Sequence, residues 1–215
     1  MFSKHIRYFA LSYISCLFLI FSCGQIEETT AEIPVSLQNS YETGLASALS
    51  GHFVRAEKAF LQAVQTDSNN IPSQTSLQIT QAVLEKQISE KAGLHLFRAI
   101  QHGNEGNLPA KLAEQDSAII EGPTFALAYN NRGITYYDLG RFGESISDRD
   151  KAIELREDYY EAYFNKALAC EKLERFDEAL LAFRGFVEYA PVNLDMHIAY
   201  AQSRISALEV PVEKE

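Results

Sequence analysis

The side chains that most often carry out chemistry in proteins are few in this chain and lie far apart. Among the five histidines, His95 and His102 are seven residues apart and would share one face of a helix, but no third metal ligand stands at a useful spacing. No serine has the flanking glycines of a nucleophile elbow, and no lysine follows a glycine-rich phosphate loop. The sequence therefore predicts no enzyme, no metal site and no cofactor.

The three cysteines, Cys16, Cys23 and Cys170, are too few for a disulfide framework or a four-ligand zinc site. Cys170 falls in a predicted helix, where we expect a small buried side chain with an inert thiol. Cys16 and Cys23 instead end an apolar stretch near the N-terminus, so their chemistry is that of export and membrane attachment.

The composition sets broad limits on function. The chain has 215 residues, 47% of them apolar, and 19 basic against 29 acidic residues give a net charge of −10. The apolar fraction is enough for a folded core. An acidic surface repels the phosphates of nucleic acid, so we predict no nucleic-acid partner.

The N-terminal stretch, residues 1–22, is predicted to be an export signal. Lys4 and Arg7 precede an apolar run from Tyr8 to Phe21. As a helix this run spans ~21 Å, which is short of the ~30 Å hydrocarbon core of a bilayer. The length therefore favours a signal over a permanent membrane helix.

The end of this run resembles the lipobox of bacterial lipoproteins, in which a branched apolar residue stands three places before a cysteine and a small residue directly before it. The matching residues are Ile20, Ser22, Cys23 and Gly24, while Phe21 departs from the small or β-branched residue usual in the family. The resemblance implies that Cys23 is acylated and becomes the membrane anchor. Cys16 is the competing lipidation site, and an ordinary secretory signal or an uncleaved anchor is the alternative.

Residues 23–36 are predicted to be the lipidated cysteine and a flexible acidic tether, with a reach of ~20 Å. Gln25–Glu28 resembles the acidic signal that sends some Bacteroidota lipoproteins to the cell surface; a solvated charged linker is the plainer interpretation. We expect a protein held on the bacterial outer membrane by its lipid, facing the periplasm or the cell surface. Loss of Lys4 and Arg7 leaves 17 basic against 29 acidic residues, a charge of −12.

The body of the chain repeats itself every 34 residues. Shifting residues 126–159 onto 160–193 superposes aromatic, small and charged residues in the same order, and shifting them back onto 92–125 aligns glycines and apolar residues. The clearest pairs are Tyr129 with Tyr163, Asn131 with Asn165, Gly133 with Ala167, Arg141 with Arg175, Phe142 with Phe176, and Gly106 with Gly140.

The repeat resembles the tetratricopeptide repeat, a helix–turn–helix unit in which small side chains let two helices approach closely and aromatic side chains fill the flanking holes. The resemblance implies an all-α fold, a right-handed α-solenoid of antiparallel helix pairs with about ten helices. We place this domain at residues 37–208 and a tail at 209–215. Its units lie near 37–70, 92–125, 126–159 and 160–193, with a capping helix at 194–208.

The phase of the repeat slips between residues 71 and 107. Either a helix at 73–87 is an extra element before the unit at 92–125, or 73–106 is a degenerate unit followed by an odd helix at 108–121. We prefer the first arrangement because the stretch from Gly106 to Pro123 aligns well with the next unit.

In this family the first helices line a concave groove, where asparagines often hydrogen-bond the backbone of an extended peptide. Asn131 and Asn165 occupy matching places one repeat apart, and a side-chain amide can both donate to and accept from a peptide group. We predict a peptide-binding groove at these two residues with Asn130, Tyr137 and Phe164. The alternative is that the asparagines only tie adjacent helices together.

The lysines and arginine with which some family members hold a C-terminal carboxylate are absent here. Their places carry Asn130, Ile134, Glu161 and Asp195. We therefore expect the partner to be a segment or helix of another envelope protein and not a free carboxyl terminus. The rival hypothesis is a glycan- or small-ligand-binding lipoprotein of a nutrient transporter, although the chain has no Trp for stacking sugars.

Two further expectations concern the packing of polar residues. His95 and His102 align with Tyr129 and Tyr136, so they are predicted to be core-facing aromatic residues. Arg149 aligns with Phe183 at a buried position of the family pattern. A buried guanidinium must be paired, for which Asp116, Asp148 and Asp150 are the candidates, unless it extends its head to water.

Overall fold

The computed structural model describes residues 35–209, and this part of the chain is entirely helical, with no strand. The predicted signal, Cys23 and most of the tether lie outside the described residues. The prediction of an all-α fold with about ten helices is confirmed. The helices are α1 Val35–Leu49, α2 Phe53–Thr66, α3 Ile71–Leu84, α4 Glu90–Asn104, α5 Leu108–Glu121, α6 Ala126–Asp138, α7 Phe142–Leu155, α8 Tyr160–Lys172, α9 Phe176–Tyr189 and α10 Asp195–Glu209.

Local sequence explains where several helices begin. The side chain of Asn70 accepts a hydrogen bond from the backbone N–H of Ser73, and Pro72 stands in the first turn of α3, where its missing N–H costs nothing. Ser89 caps α4 in the same way by accepting from the backbone N–H of Ala92 at 3.0 Å. The two caps mark the segment in which the sequence repeat loses its phase.

The turns inside the helix pairs share one backbone conformation. Gly106, Gly140 and Glu174 are spaced by 34 residues and have positive φ angles of 72°, 71° and 56°. Glycine adopts this left-handed region without steric cost, whereas a residue with a Cβ does not. The repeat therefore places the same tight turn after α4, α6 and α8, with glycine in the first two and a strained glutamate in the third.

The chain divides into two compact units, one up to Glu114 and one from Gln115, and α5 spans the division. In the first unit α2 packs against α1 and α3, while α4 packs against α1 and α3. Its centre is aromatic: the rings of Phe60 and Phe97 stack with centroids 5.9 Å apart, and Phe53 is tilted against Phe97 at 6.4 Å. A Cβ on Gly44 would lie 2.5 Å from the ring of Phe60, so glycine permits this close helix crossing.

The second unit stacks α6 to α10 in chain order, each helix packing on the next, and α6 also contacts α8. Small residues such as Ala167, Ala179 and Ala201 are fully buried beside Phe183 and Phe186. This is the pattern of small and aromatic side chains that the repeat predicts. No helix within residues 35–209 is both long enough and apolar enough to cross a membrane.

Candidate functional site

Two asparagines lie on neighbouring helices of the second unit, where the sequence predicted a groove. Asn131 is on α6 and Asn165 on α8, and both are half-buried. Neither side chain hydrogen-bonds another residue of the described chain; only the backbone carbonyl of Asn131 is engaged, accepting from Gln115 Nε2 at 3.0 Å. The two amides are therefore available to a ligand and do not tie the helices together.

Two aromatic side chains accompany these amides. Tyr137 is half-buried on α6, with its ring edge-on to Phe142 at 5.1 Å. Phe164 is half-buried on α8 and packs against Phe186, with ring centroids 4.9 Å apart. We call Asn131, Tyr137, Phe164 and Asn165 together the α6–α8 face. Its aromatic residues are held in place by the core, so the face is rigid.

Asn130, the fifth predicted groove residue, lies inside the protein. It is 5% exposed, and its side chain hydrogen-bonds that of Tyr159, a residue that is itself 2% exposed. Burial raises the pKa of Tyr159, so its phenol stays protonated. Asn130 therefore connects α6 to the start of α8 and does not present its amide on the α6–α8 face.

The places of the missing carboxylate clamp are acidic or occupied. Glu161 lies with its Oε2 atom 3.8 Å from a guanidinium nitrogen of Arg156, and Asp195 is an exposed acid in the first turn of α10. Arg132, on α6, binds Asp148 through two hydrogen bonds of 2.8 and 2.6 Å. These acids would repel a C-terminal carboxylate.

The ion pairs around Arg132 repeat with the period of the chain, a feature that the sequence analysis missed. Arg132 pairs with Asp116 at 2.9 Å, and 34 residues later Lys166 pairs with Asp150 at 2.5 Å. These hydrogen bonds, chiefly those from Asp148, raise the pKa of Arg132. Aligning the charged residues of successive units, as was done for the aromatic ones, would have revealed both pairs.

Arg149 contradicts both predictions made for it. The residue is 1% exposed, so its head does not reach water. The three candidate aspartates do not pair with it either, because Asp116 and Asp148 bind Arg132 and Asp150 binds Lys166.

The guanidinium of Arg149 instead hydrogen-bonds within its own helix. Its Nη1 atom donates to the carbonyl and hydroxyl oxygens of Ser145 at 3.2 and 3.0 Å, and its Nε has no partner. Burial lowers the pKa of Arg149 to about 10. A Cβ added at Gly133 would lie 2.0 Å from Nη1, so the absence of a side chain there makes room for the guanidinium.

The predicted core positions of His95 and His102 are wrong, because each ring has a polar partner near the surface. His95 Nδ1 lies 2.6 Å from Glu114 Oε2, and His102 Nδ1 lies 3.2 Å from Glu105 Oε2. Cys170 is fully buried, as predicted, and burial raises the pKa of its thiol. Within the part of the chain that the structure describes, no group of His, Cys, Asp or Glu is arranged to hold a metal ion.

The sequence resembles known proteins in its repeats. A tetratricopeptide repeat family model matches residues 126–193, the segment from α6 to α9. The Protein SGT1 homolog of Oryza sativa subsp. japonica is 37% identical over 75 residues, which are 35% of this chain and 20% of that protein. The Protein STIP1 homolog of Dictyostelium discoideum is 28% identical over 109 residues, 47% of this chain and 19% of that protein. The chain thus spans about a fifth of the length of these relatives.

Solved structures share the fold. The first TPR of Spaghetti (RPAP3), bound to HSP90 peptide SRMEEVD, has a TM-score of 0.52 at 21% identity and covers 57% of this chain and 99% of that chain. The TPR2AB-domain:pHSP90-complex of yeast Sti1 has a TM-score of 0.51 at 20% identity and covers 81% of this chain and 70% of that chain. Two helix pairs, a matching family model and this shared fold lead to one conclusion: over residues 126–193 the chain is a tetratricopeptide repeat protein.

Proposed function

We propose that this chain is an exported bacterial lipoprotein, held in the outer membrane by Cys23, whose repeats bind a segment or helix of another envelope protein. The binding site is the α6–α8 face. The observation that carries this proposal is the pair of asparagines at equivalent places on α6 and α8, half-buried and without a hydrogen bond to the rest of the described chain.

The spacing of these amides suits a peptide in extended conformation. Successive side-chain amides can donate to and accept from peptide groups whatever the side chains of the ligand, and the nearby aromatic rings of Tyr137 and Phe164 add apolar contact area. The similar structures of RPAP3 and yeast Sti1 were solved with HSP90 and pHsp70 peptides, which supports a peptide as the class of ligand. The acidic residues Glu161 and Asp195 favour an internal or basic segment over a free C-terminus.

The test is a crosslinking pulldown from membranes with the Asn131→Ala/Asn165→Ala double variant. A hydrogen bond between uncharged groups contributes about 1 kcal/mol, so losing both amides should weaken capture of the partner about 10- to 30-fold without lowering the melting temperature. Asn193→Ala, at an exposed position between α9 and α10, is the matched control and should bind as the wild type does.

Equal capture by wild type and double variant would remove the α6–α8 face as the binding site. If no protein is captured and oligosaccharides raise the melting temperature, the chain is a ligand-binding lipoprotein of the transporter class and not an adaptor. The absence of Trp makes that result the less expected one, since sugars stack best on large aromatic rings.

A further inference from the structure

The outward face of α2 combines apolar and basic side chains that the fold does not use. Val54, Lys58 and Leu61 are spaced as i, i+4 and i+7, so they share one side of the helix, opposite the buried side that carries Phe53 and Phe60. Val54 is 73% and Leu61 39% exposed. This is a large apolar exposure on a helix whose other side is fully packed.

The basic residues of this helix are also free. Arg55 and Lys58 are exposed, and neither forms an ion pair with any residue that the structure describes. The one acid of the helix, Glu57, is half-buried to the side of the stripe. We call Val54, Arg55, Lys58 and Leu61 the α2 outer face.

The equivalent second helices of the other unit have the opposite charge. α7 carries two basic against four acidic residues, and α9 carries one basic against three acidic residues, whereas α2 carries two basic against one acidic. In a chain with an overall excess of acid, the α2 outer face is thus a local site of positive charge beside exposed apolar side chains. An anionic lipid headgroup above an apolar acyl region complements this combination.

The position of α2 along the chain fits the same partner. α1 begins at Val35, and the stretch from Cys23 to this helix reaches ~20 Å when flexible. α2 packs directly on α1 across the turn at Ser50–His52. A lipid on Cys23 would therefore keep α2 close to the bilayer, where even weak attraction has a large effect because the tether raises its effective concentration.

We propose that the α2 outer face docks on the anionic bilayer surface to which Cys23 tethers the chain. This proposal rests on the anchor in the proposed function. Arg55 and Lys58 approach the lipid phosphates, while Val54 and Leu61 enter the boundary between headgroups and acyl chains. Since the rest of the chain is acidic and is repelled by the same surface, docking gives the tethered protein one preferred orientation.

The absence of Trp from the chain allows a direct test. The lipidated protein carrying Val54→Trp is reconstituted into vesicles of phosphatidylethanolamine and phosphatidylglycerol whose acyl chains are brominated near the headgroup. We expect blue-shifted, quenched tryptophan emission. Leu181→Trp, at an α9 position that is 64% exposed, is the matched control and should be neither shifted nor quenched.

Charge is tested in the same variant. Adding Arg55→Gln/Lys58→Gln removes two attractions of about fivefold each, so quenching should fall to the level seen in phosphatidylcholine vesicles. Adding Lys172→Gln/Arg184→Gln, two exposed cations of the second unit, changes net charge equally and should leave quenching unchanged. High salt should also abolish quenching.

Flotation of the vesicles separates failure of docking from failure of the anchor. Protein that floats with the vesicles but shows the same emission at positions 54 and 181 overturns the docking and keeps the anchor. Quenching that is insensitive to lipid charge and to the two cations likewise overturns docking on anionic lipid. Protein that does not float overturns both the anchor and the docking that rests on it.

Discussion

At the scale of single residues, Arg149 and Gly133 form a pair that replaces the pair of the next repeat. There, Ala167 and Phe183 occupy the equivalent places, and both are fully buried in the core of the second unit. At the first pair a glycine gives up its side chain and a guanidinium fills the space. The guanidinium pays a desolvation cost, which is why burial lowers its pKa to about 10.

Arg149→Phe should leave the free energy of unfolding unchanged or raise it by up to about 2 kcal/mol, because it removes a buried charge that has no carboxylate of its own. The lowered pKa gives the same sign: the unfolded chain binds this proton more tightly, so below pH 10 the charged side chain destabilises the fold. Ser145 keeps a partner, since its hydroxyl donates to the carbonyl of Gly133 at 2.9 Å.

A double-mutant cycle with Gly133→Ala gives a sharper measurement by urea unfolding. Alone, Gly133→Ala places a methyl group against the guanidinium and should cost about 1–3 kcal/mol. Combined with Arg149→Phe it should cost little, because the pair then matches Ala167 and Phe183. Additive effects, or a melting temperature several degrees lower for Arg149→Phe, would show that the arginine has a specific role.

At the scale of the helix pair, the tight turn after the first helix is repeated more faithfully than its amino acid. Gly106 and Gly140 have the residue type that a left-handed backbone favours, whereas Glu174 adopts a φ of 56° with a full side chain. That side chain is exposed and forms no ion pair in the described chain that would compensate for the strain. The stacking of α8 and α9 enforces the turn.

Glu174→Gly should therefore stabilise the protein by up to about 1 kcal/mol, since relief of the left-handed strain exceeds the added entropy of the unfolded chain. Gly140→Ala is the matched reverse change in the neighbouring turn, where no atom would contact the new Cβ, and should destabilise by about 1 kcal/mol. Calorimetric melting curves of the two variants test the prediction, which fails if both shift in the same direction.

At the scale of the whole molecule, the proposed function assigns different tasks to different parts of the chain. Cys23 attaches the protein, the α2 outer face contacts the membrane, and the α6–α8 face takes the partner. With a charge of −12 after loss of the signal, the protein is not drawn to an anionic membrane by its overall charge. Attachment then depends on the acyl chains alone.

Cys23→Ala should accordingly move the protein from the membrane fraction to the soluble periplasmic fraction, or leave it uncleaved with its signal, and should abolish labelling by radioactive palmitate. Cys16→Ala is the matched control and should retain both labelling and membrane attachment. Labelling that survives Cys23→Ala but is lost in Cys16→Ala would transfer the anchor to Cys16, and labelling of neither would exclude a lipoprotein.

The sequence by itself determined the helices and their pairing in the repeat segment. A 34-residue period carries the turn glycines and the small and aromatic core residues, and these depend on local geometry and on contacts between helices adjacent in the chain. The α6–α8 face could be predicted for the same reason, because Asn131 and Asn165 occupy the same place in two successive units.

Only the tertiary structure decided the fate of the polar side chains. The sequence offered three aspartates for Arg149, but Arg132 and Lys166 bind all three, and Gly133 leaves a space in which an unpaired guanidinium fits. Asn130 resembles Asn131 in sequence, yet one amide is enclosed and the other accessible. A polar side chain selects among several partners within reach according to distance and burial, and neither quantity is contained in a repeat pattern.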